Sequence, residues 1–152
     1  FGLTRKRDTR SLPIGGGRGY PRDAAELRRQ VERLSAWTGV SRERVQLLFE
    51  RYGTRAEAIA TYMNGGTDFL IQSLPDYSYR EIAYLALHER IVHLDDLLLR
   101  RSMLAMLGRL TREMVEELAN TLGNILGWDA AQKKAEAART LSILEDRHGV
   151  RF

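Results

Sequence analysis

The chain has 152 residues, 43% hydrophobic and 29% charged, with no cysteine and a formal net charge of +4. That composition is ordinary for a globular protein, and it excludes a disulfide framework, thiolate chemistry and any cysteine-based metal site. No apolar run approaches the ~18 residues of a membrane-spanning helix and no secretory segment opens the chain. The start at Phe1 rather than Met reads as a fragment. The charge is uneven: residues 1–60 carry 13 Arg and Lys against 7 Asp and Glu, residues 61–152 carry 11 against 13. A basic first portion could meet nucleic acid, anionic lipid or an acidic protein, although arginines on solvated helix faces give the same count.

Residues 1–22 read as an extended arm or linker, rich in charge and breakers: Arg5-Lys6-Arg7-Asp8, then Leu12-Pro13-Ile14-Gly15-Gly16-Gly17-Arg18-Gly19-Tyr20-Pro21. Residues 23–152 read as one helical domain. Leu27, Val31 and Leu34, with Trp37 beyond, recur at helical spacing, and Gly39 can stop that helix. Ser41 is placed to cap a second helix with Val45, Leu48 and Phe49 inward and Gly53 at its end. Thr54-Arg55-Ala56-Glu57 has the form of a capping box opening a helix with Ala58, Ile59 and Tyr62 inward, which breaks at Asn64-Gly65-Gly66. A short helical turn is expected over Asp68–Leu74, stopping before Pro75.

Ser78-Tyr79-Arg80-Glu81 is a second capping box, launching a face of Ile82, Leu85, Ala86 and Glu89. Asp95 and Asp96 fall near the start of the next helix and Arg100 and Arg101 near its end, which complements the helix dipole. Thr111 caps a long amphipathic helix carrying Met114, Val115, Leu118, Leu122 and Ile125, closed by Gly127-Trp128. Asp129 caps the last one, with Ala135, Ala138, Leu141 and Leu144 inward. No segment sustains period-two alternation and no fixed repeat is present. The fold class expected is all-α, a compact orthogonal bundle of six to eight helices with no sheet.

The candidate chemistry is thin. His88-Glu89-Arg90-Ile91-Val92-His93 spaces its histidines five apart, ~140° around a helix, so they cannot share a face as a zinc protease motif requires. Glu89 and His93 stand four apart and can pair as a helix-surface contact. Gly15–Gly19 lacks the following Lys-Ser/Thr of a phosphate loop and the preceding strand of a dinucleotide fingerprint, so a flexible or tightly turned linker is expected. Glu81, Glu89, Asp95 and Asp96 could supply an acid/base pair. They stand among Arg80, Arg90, Arg100 and Arg101 with no nucleophile or oxyanion device, which favours structural ion pairs. Trp37, Phe49 and Tyr52 fall on apolar stripes and read as core, not as a base-stacking platform. No catalytic, cofactor-binding or metal-ligating residue is assigned.

Five patches taken together, in order across residues 12–145, resemble the C-terminal helical domain of FAD-dependent, quinone-linked glycerol-3-phosphate dehydrogenases. They are Leu12-Pro13-Ile14-Gly15-Gly16, Leu48-Phe49-Glu50-Arg51-Tyr52-Gly53-Thr54-Arg55-Ala56 through Ile59, Glu81-Ile82-Ala83-Tyr84 through His88-Glu89, Asp96 through Arg100-Arg101-Ser102, and Leu126-Gly127-Trp128-Asp129, with Glu136 at an acidic position beyond. Ser102 stands where that family usually has Thr and Met103 where a further Arg is common. The resemblance implies an accessory domain, inactive alone, of an enzyme that oxidises sn-glycerol 3-phosphate to dihydroxyacetone phosphate and passes electrons through FAD to quinone. FAD and substrate would then be held by preceding N-terminal domains of the same polypeptide, the partners expected here. A homo-oligomer is possible, no nucleic acid is expected, and membrane association would come only through the parent enzyme. The location expected is the cytoplasm, or the cytoplasmic face of the inner membrane for the parent. Glu81, Glu89, Asp96, Arg100 and Arg101 are the candidates for a structural or docking ion-pair network. The alternative is a stand-alone basic helical module binding nucleic acid or an acidic protein.

Overall fold

The computed structural model describes Leu12 and residues 15–152, so the expectations for Arg5-Lys6-Arg7-Asp8 and Pro13-Ile14 lie outside the described residues. The described residues are all-α with one small hairpin, and the chain divides into two compact units, one ending at Asn64 and one starting at Gly65.

In the first unit, α1 (Ala24–Thr38) starts where Asp23 Oδ1 accepts from Glu26 N–H at 2.8 Å and ends at Gly39. Val31, Leu34 and Thr38 are buried and Trp37 is exposed, against expectation. At ~100° per residue the inward line through Val31 and Leu34 returns to position 38. Thr38 takes that place, its hydroxyl donating to Leu34 C=O at 2.7 Å. Helix α2 (Arg42–Tyr52) is capped by Ser41, buries Val45, Leu48 and Phe49, and ends at Gly53. A 3₁₀ turn, Gly53–Arg55, leads into α3 (Ala56–Asn64). The expected Thr54 capping box does not form, because the Thr54 hydroxyl donates instead to Gly16 C=O (3.2 Å) and Arg18 C=O (3.1 Å). The buried stripe of α3 is Ala56, Ile59, Ala60 and Met63, which follows i, i+3, i+4, i+7 and leaves Ala58 exposed and Tyr62 half-buried.

The second unit opens with an antiparallel hairpin, β1 (Leu70–Ile71) and β2 (Leu74–Ser78), where the helical turn over Asp68–Leu74 was expected. Pro75 bars Leu74 from helical geometry, and a carboxylate distant in the chain holds the turn: Glu117 accepts from Gln72 N–H (2.9 Å) and Ser73 N–H (2.7 Å). Ser78 then caps α4 (Tyr79–His88), which buries Glu81, Ile82, Ala83, Leu85 and Ala86. Helix α5 is one turn (Leu94–Asp96) running into a π-helical turn, Leu97–Arg101. Thr111 caps α6 (Arg112–Leu126), which ends at Gly127. Asp129 and Gln132 form a reciprocal capping box at the start of α7 (Ala130–His148). Helices α6 and α7 approach closely at Gly123, where a Cβ would meet the Lys133 side chain at 2.6 Å. In α7 the inward residues are Ala137, Thr140, Leu141 and Leu144, whereas Ala135 and Ala138 are exposed. Alanine carries too little apolar surface to fix a helix face, so the leucines set it. Leu94, Leu97, Leu98, Leu118, Leu122 and Leu144 are the fully enclosed centre of this unit.

Candidate functional site

The charged residues singled out in the sequence converge on the join between α4 and α5, with one exception. Glu81 sits in the first turn of α4, fully buried and engaged, and Glu89 lies just past the other end of that helix. Eight residues at ~1.5 Å each put them about 12 Å apart along the axis. Glu89 meets Arg101 at 3.7 Å, and Asp96 meets Arg100 at 3.1 Å. Asp96 Oδ2 also accepts from Val92 N–H (3.2 Å) and His93 N–H (3.1 Å), which closes two free donors at the start of α5.

Helix α7 supplies partners that local patterns did not reveal. Glu136 Oε1 lies 2.8 Å from His93 Nδ1, and its Oε2 accepts from Leu94 N–H at 3.1 Å. Arg139 donates to Asp95 at 2.5 Å and stands 3.7 Å from Glu136. His93 therefore pairs across the unit and not with Glu89, because α4 stops at His88 and the chain turns through Arg90 at φ 53°. Glu136 and Arg139 share a face of α7 at i and i+3, a spacing visible in the sequence. Their partners, more than 40 positions away, are not.

The electrostatics fit a structural tie. Burial by itself raises the Asp96 carboxyl, but the His93 and Val92 amides and the Arg100 charge outweigh it and hold the group below the ordinary carboxylate value. The hydrogen bond to Asp95 raises the already high Arg139 against its partial burial. At Glu117 burial again opposes ionisation and is outweighed at Ser73, by hydroxyl and amide, and by the Gln72 amide. The Ser73 hydroxyl adds to this without meeting hydrogen-bond geometry. The carboxylates of the cluster are thus directed at cations and backbone amides, which favours holding an arrangement over moving a proton.

The glycine segment is occupied in a different way. Gly16 and Gly53, both at positive φ, pack backbone to backbone: a Cβ on Gly16 would meet Tyr52 C=O at 2.5 Å. Gly16 C=O accepts from Thr54 N–H at 2.8 Å. The next helix begins with the Asp23 carboxylate over its free amides, where a phosphate would be repelled. These residues do not fit a flavin dinucleotide. Between α6 and α7 lies a groove of about 670 Å³, floored by Ala119, Ala137 and Leu141 and bridged at its rim by Arg112–Glu145 at 3.4 Å. Among the described residues no group of three or more His, Asp or Glu is arranged to hold a metal ion, and no helix is long and apolar enough to cross a membrane.

Comparison with known proteins supplies what the geometry does not. Residues 7–133 match the sequence profile of the C-terminal domain of alpha-glycerophosphate oxidase. The chain is 29% identical over 140 residues to glycerol-3-phosphate dehydrogenase 2 of Mycobacterium bovis and of Mycobacterium tuberculosis, with 90% of this chain and 23% of each relative covered. It is also 29% identical over 133 residues to glycerol-3-phosphate dehydrogenase of Mycobacterium leprae, covering 86% of this chain and 22% of that protein. The chain thus spans about a quarter of the length of these curated relatives. No solved structure matches it.

Proposed function

The chain belongs to the family of the C-terminal domain of alpha-glycerophosphate oxidase, and from that premise we propose that it is the accessory C-terminal domain of an FAD-dependent sn-glycerol-3-phosphate dehydrogenase. On this reading the parent enzyme oxidises glycerol 3-phosphate to dihydroxyacetone phosphate and passes the electrons to quinone, at the cytoplasmic face of the inner membrane. The observation that carries the reading is the match over residues 7–133, joined to relatives about four times as long.

The chemistry of these side chains supports an accessory role. The carboxylates of the cluster hold helix ends and a hairpin turn, and the glycine segment is closed against Gly53. Flavin and substrate are assigned to the remainder of the polypeptide. The pairs Asp96–Arg100 and Glu89–Arg101 would keep α5 and its π turn in place, so that this part of the domain presents a fixed surface to that remainder.

The test is the visible spectrum of the full-length polypeptide before and after sn-glycerol 3-phosphate is added. The expected result is a flavin spectrum that bleaches on adding the substrate and recovers with a quinone. A product without flavin, or one binding DNA or RNA with steep salt dependence, would replace this reading with the basic binding module.

A further inference from the structure

Residues 102–110, between the π turn and α6, form a loop folded by its own backbone. Leu107 N–H donates to Met103 C=O (3.0 Å), Gly108 N–H to Ala105 C=O (3.2 Å) and Arg109 N–H to Leu104 C=O (3.2 Å). Leu104 and Leu110 are buried and anchor it. Met103, Met106 and Leu107 face outward at 52%, 79% and 55% exposure. Exposed apolar residues scattered singly are commonplace, but three large ones within five positions of an ordered loop are a concentration.

The surroundings of the loop narrow what could cover it. Arg101 before it is held by Glu89 at 3.7 Å, and Arg109 after it by Asp76 of β2 at 2.7 Å. Arg100 is tied to Asp96. Leu87 and Val92, on either side of Glu89 in the chain, are exposed as well. The arginines bracketing the loop are paired with carboxylates, so the loop itself presents little net charge to anionic lipid or a phosphate backbone. An apolar centre with a rim of closed polar pairs is the anatomy of a protein–protein interface. Methionine adapts its shape to a partner, and a loop already folded loses little freedom on docking.

The relatives supply the occupant's size. This chain covers 23% of the Mycobacterium bovis protein, so more than three-quarters of such a polypeptide lies outside it. We propose that the Met103–Leu107 loop is the surface by which this domain docks onto the preceding, flavin-bearing part of its own polypeptide, through an apolar depression there. The proposal rests on the accessory-domain reading.

Methionine oxidation by dilute hydrogen peroxide, followed residue by residue by mass spectrometry on the full-length polypeptide, tests it. Met63, 5% exposed, is the internal standard for a buried methionine, and the same protein in urea gives the unprotected rate. Met103 and Met106 are expected to react at least about tenfold more slowly than in urea, since oxidation follows exposure. In Met106→Glu, whose side chain faces solvent in this domain, Met103 is expected to become reactive while Met63 stays protected. If Met106 reacts near the urea rate in a polypeptide whose flavin bleaches with glycerol 3-phosphate, the docking proposal fails and the accessory-domain reading stands. A polypeptide without flavin removes both. Protection that appears only on adding vesicles of anionic lipid would assign the loop to a bilayer. Protection lost on dilution to the monomer would assign it to a second copy of the chain. Either outcome overturns the proposal.

Discussion

In the unit ending at Asn64, residues 38 apart in the chain are joined by backbone lying against backbone: Gly16 C=O accepts from Thr54 N–H and its hydroxyl, and Gly16 abuts Gly53. An ion pair there, Arg33–Glu57 at 3.9 Å with side chains 73% and 56% exposed, belongs to solvent. In the unit from Gly65 onward the long-range ties are carboxylates: Glu117 on the hairpin turn, Glu136 on the start of α5, Asp95 on Arg139. The difference teaches that similar densities of charge can do unequal work. A carboxylate shielded by its surroundings and directed at backbone N–H groups holds two segments together, whereas an exposed pair contributes little.

Four experiments would break or sharpen that contrast. The largest effect is expected from Gly53→Ala, which forces a side chain into a left-handed backbone and onto Gly16 C=O. Strain of ~1–2 kcal/mol and an overpacking cost of ~1–3 kcal/mol sum to roughly 2–5 kcal/mol of lost stability in urea melts. A cost under about 0.5 kcal/mol, the level of an ordinary surface change, would mean that the glycine contact does not hold the first unit.

Next, Glu136→Ala leaves Leu94 N–H without its acceptor and Arg139 without one partner, for an expected loss of about 1–3 kcal/mol. Glu136→Gln keeps an acceptor for the amide and should recover about half of that. Equal losses in the two variants would place the value of Glu136 in its charge and not in the amide bond.

The pH dependence follows from the lowered carboxylates. Asp96 and Glu117 ionise more readily in the folded chain than at their ordinary values of 3.8 and 4.5. Their contribution is therefore complete above those values and is lost as pH falls through the lower native ones. Denaturation midpoints measured from about pH 6 to about pH 3 should fall less steeply in Glu117→Gln and Asp96→Asn than in the parent chain. Asp23 in the first unit is lowered as well, by the Glu26 amide before all else, but it is a solvent-exposed cap. A flattening in Asp23→Asn larger than in the two second-unit variants would reverse the contrast. The smallest effect is expected from Arg33→Ala, within about 0.5 kcal/mol of no change. A loss above ~1 kcal/mol would show the exposed pair to be structural.

Much of this fold was legible residue by residue. Ser41, Ser78, Thr111 and Asp129 all cap the helices whose starts they mark, and Gly39, Gly53 and Gly127 end theirs. A cap and a stop act within one helical turn, so they can be read from neighbours in sequence. The leucine, valine and isoleucine stripes were legible for the same reason, and they failed where alanine stood in for a larger side chain, in α3 and α7. The family, too, was legible, because its motifs lie in order along the chain.

What the sequence did not contain is any term that couples residues 36 or more positions apart. The turn at Gln72-Ser73 became a hairpin because Glu117 reaches it, and Thr54 left its capping box because Gly16 and Arg18 offered their carbonyls. His93 turned from Glu89 to Glu136 once the chain bent at Arg90. Each is a competition between a local hydrogen bond and a distant one of similar strength, about 0.5–1.5 kcal/mol net, and only packing brings the distant partner within reach. The exposed loop at Met103–Leu107 was hidden in the same way: its residues are apolar, and the tertiary structure decided that Leu104 and Leu110 would turn inward and the others out.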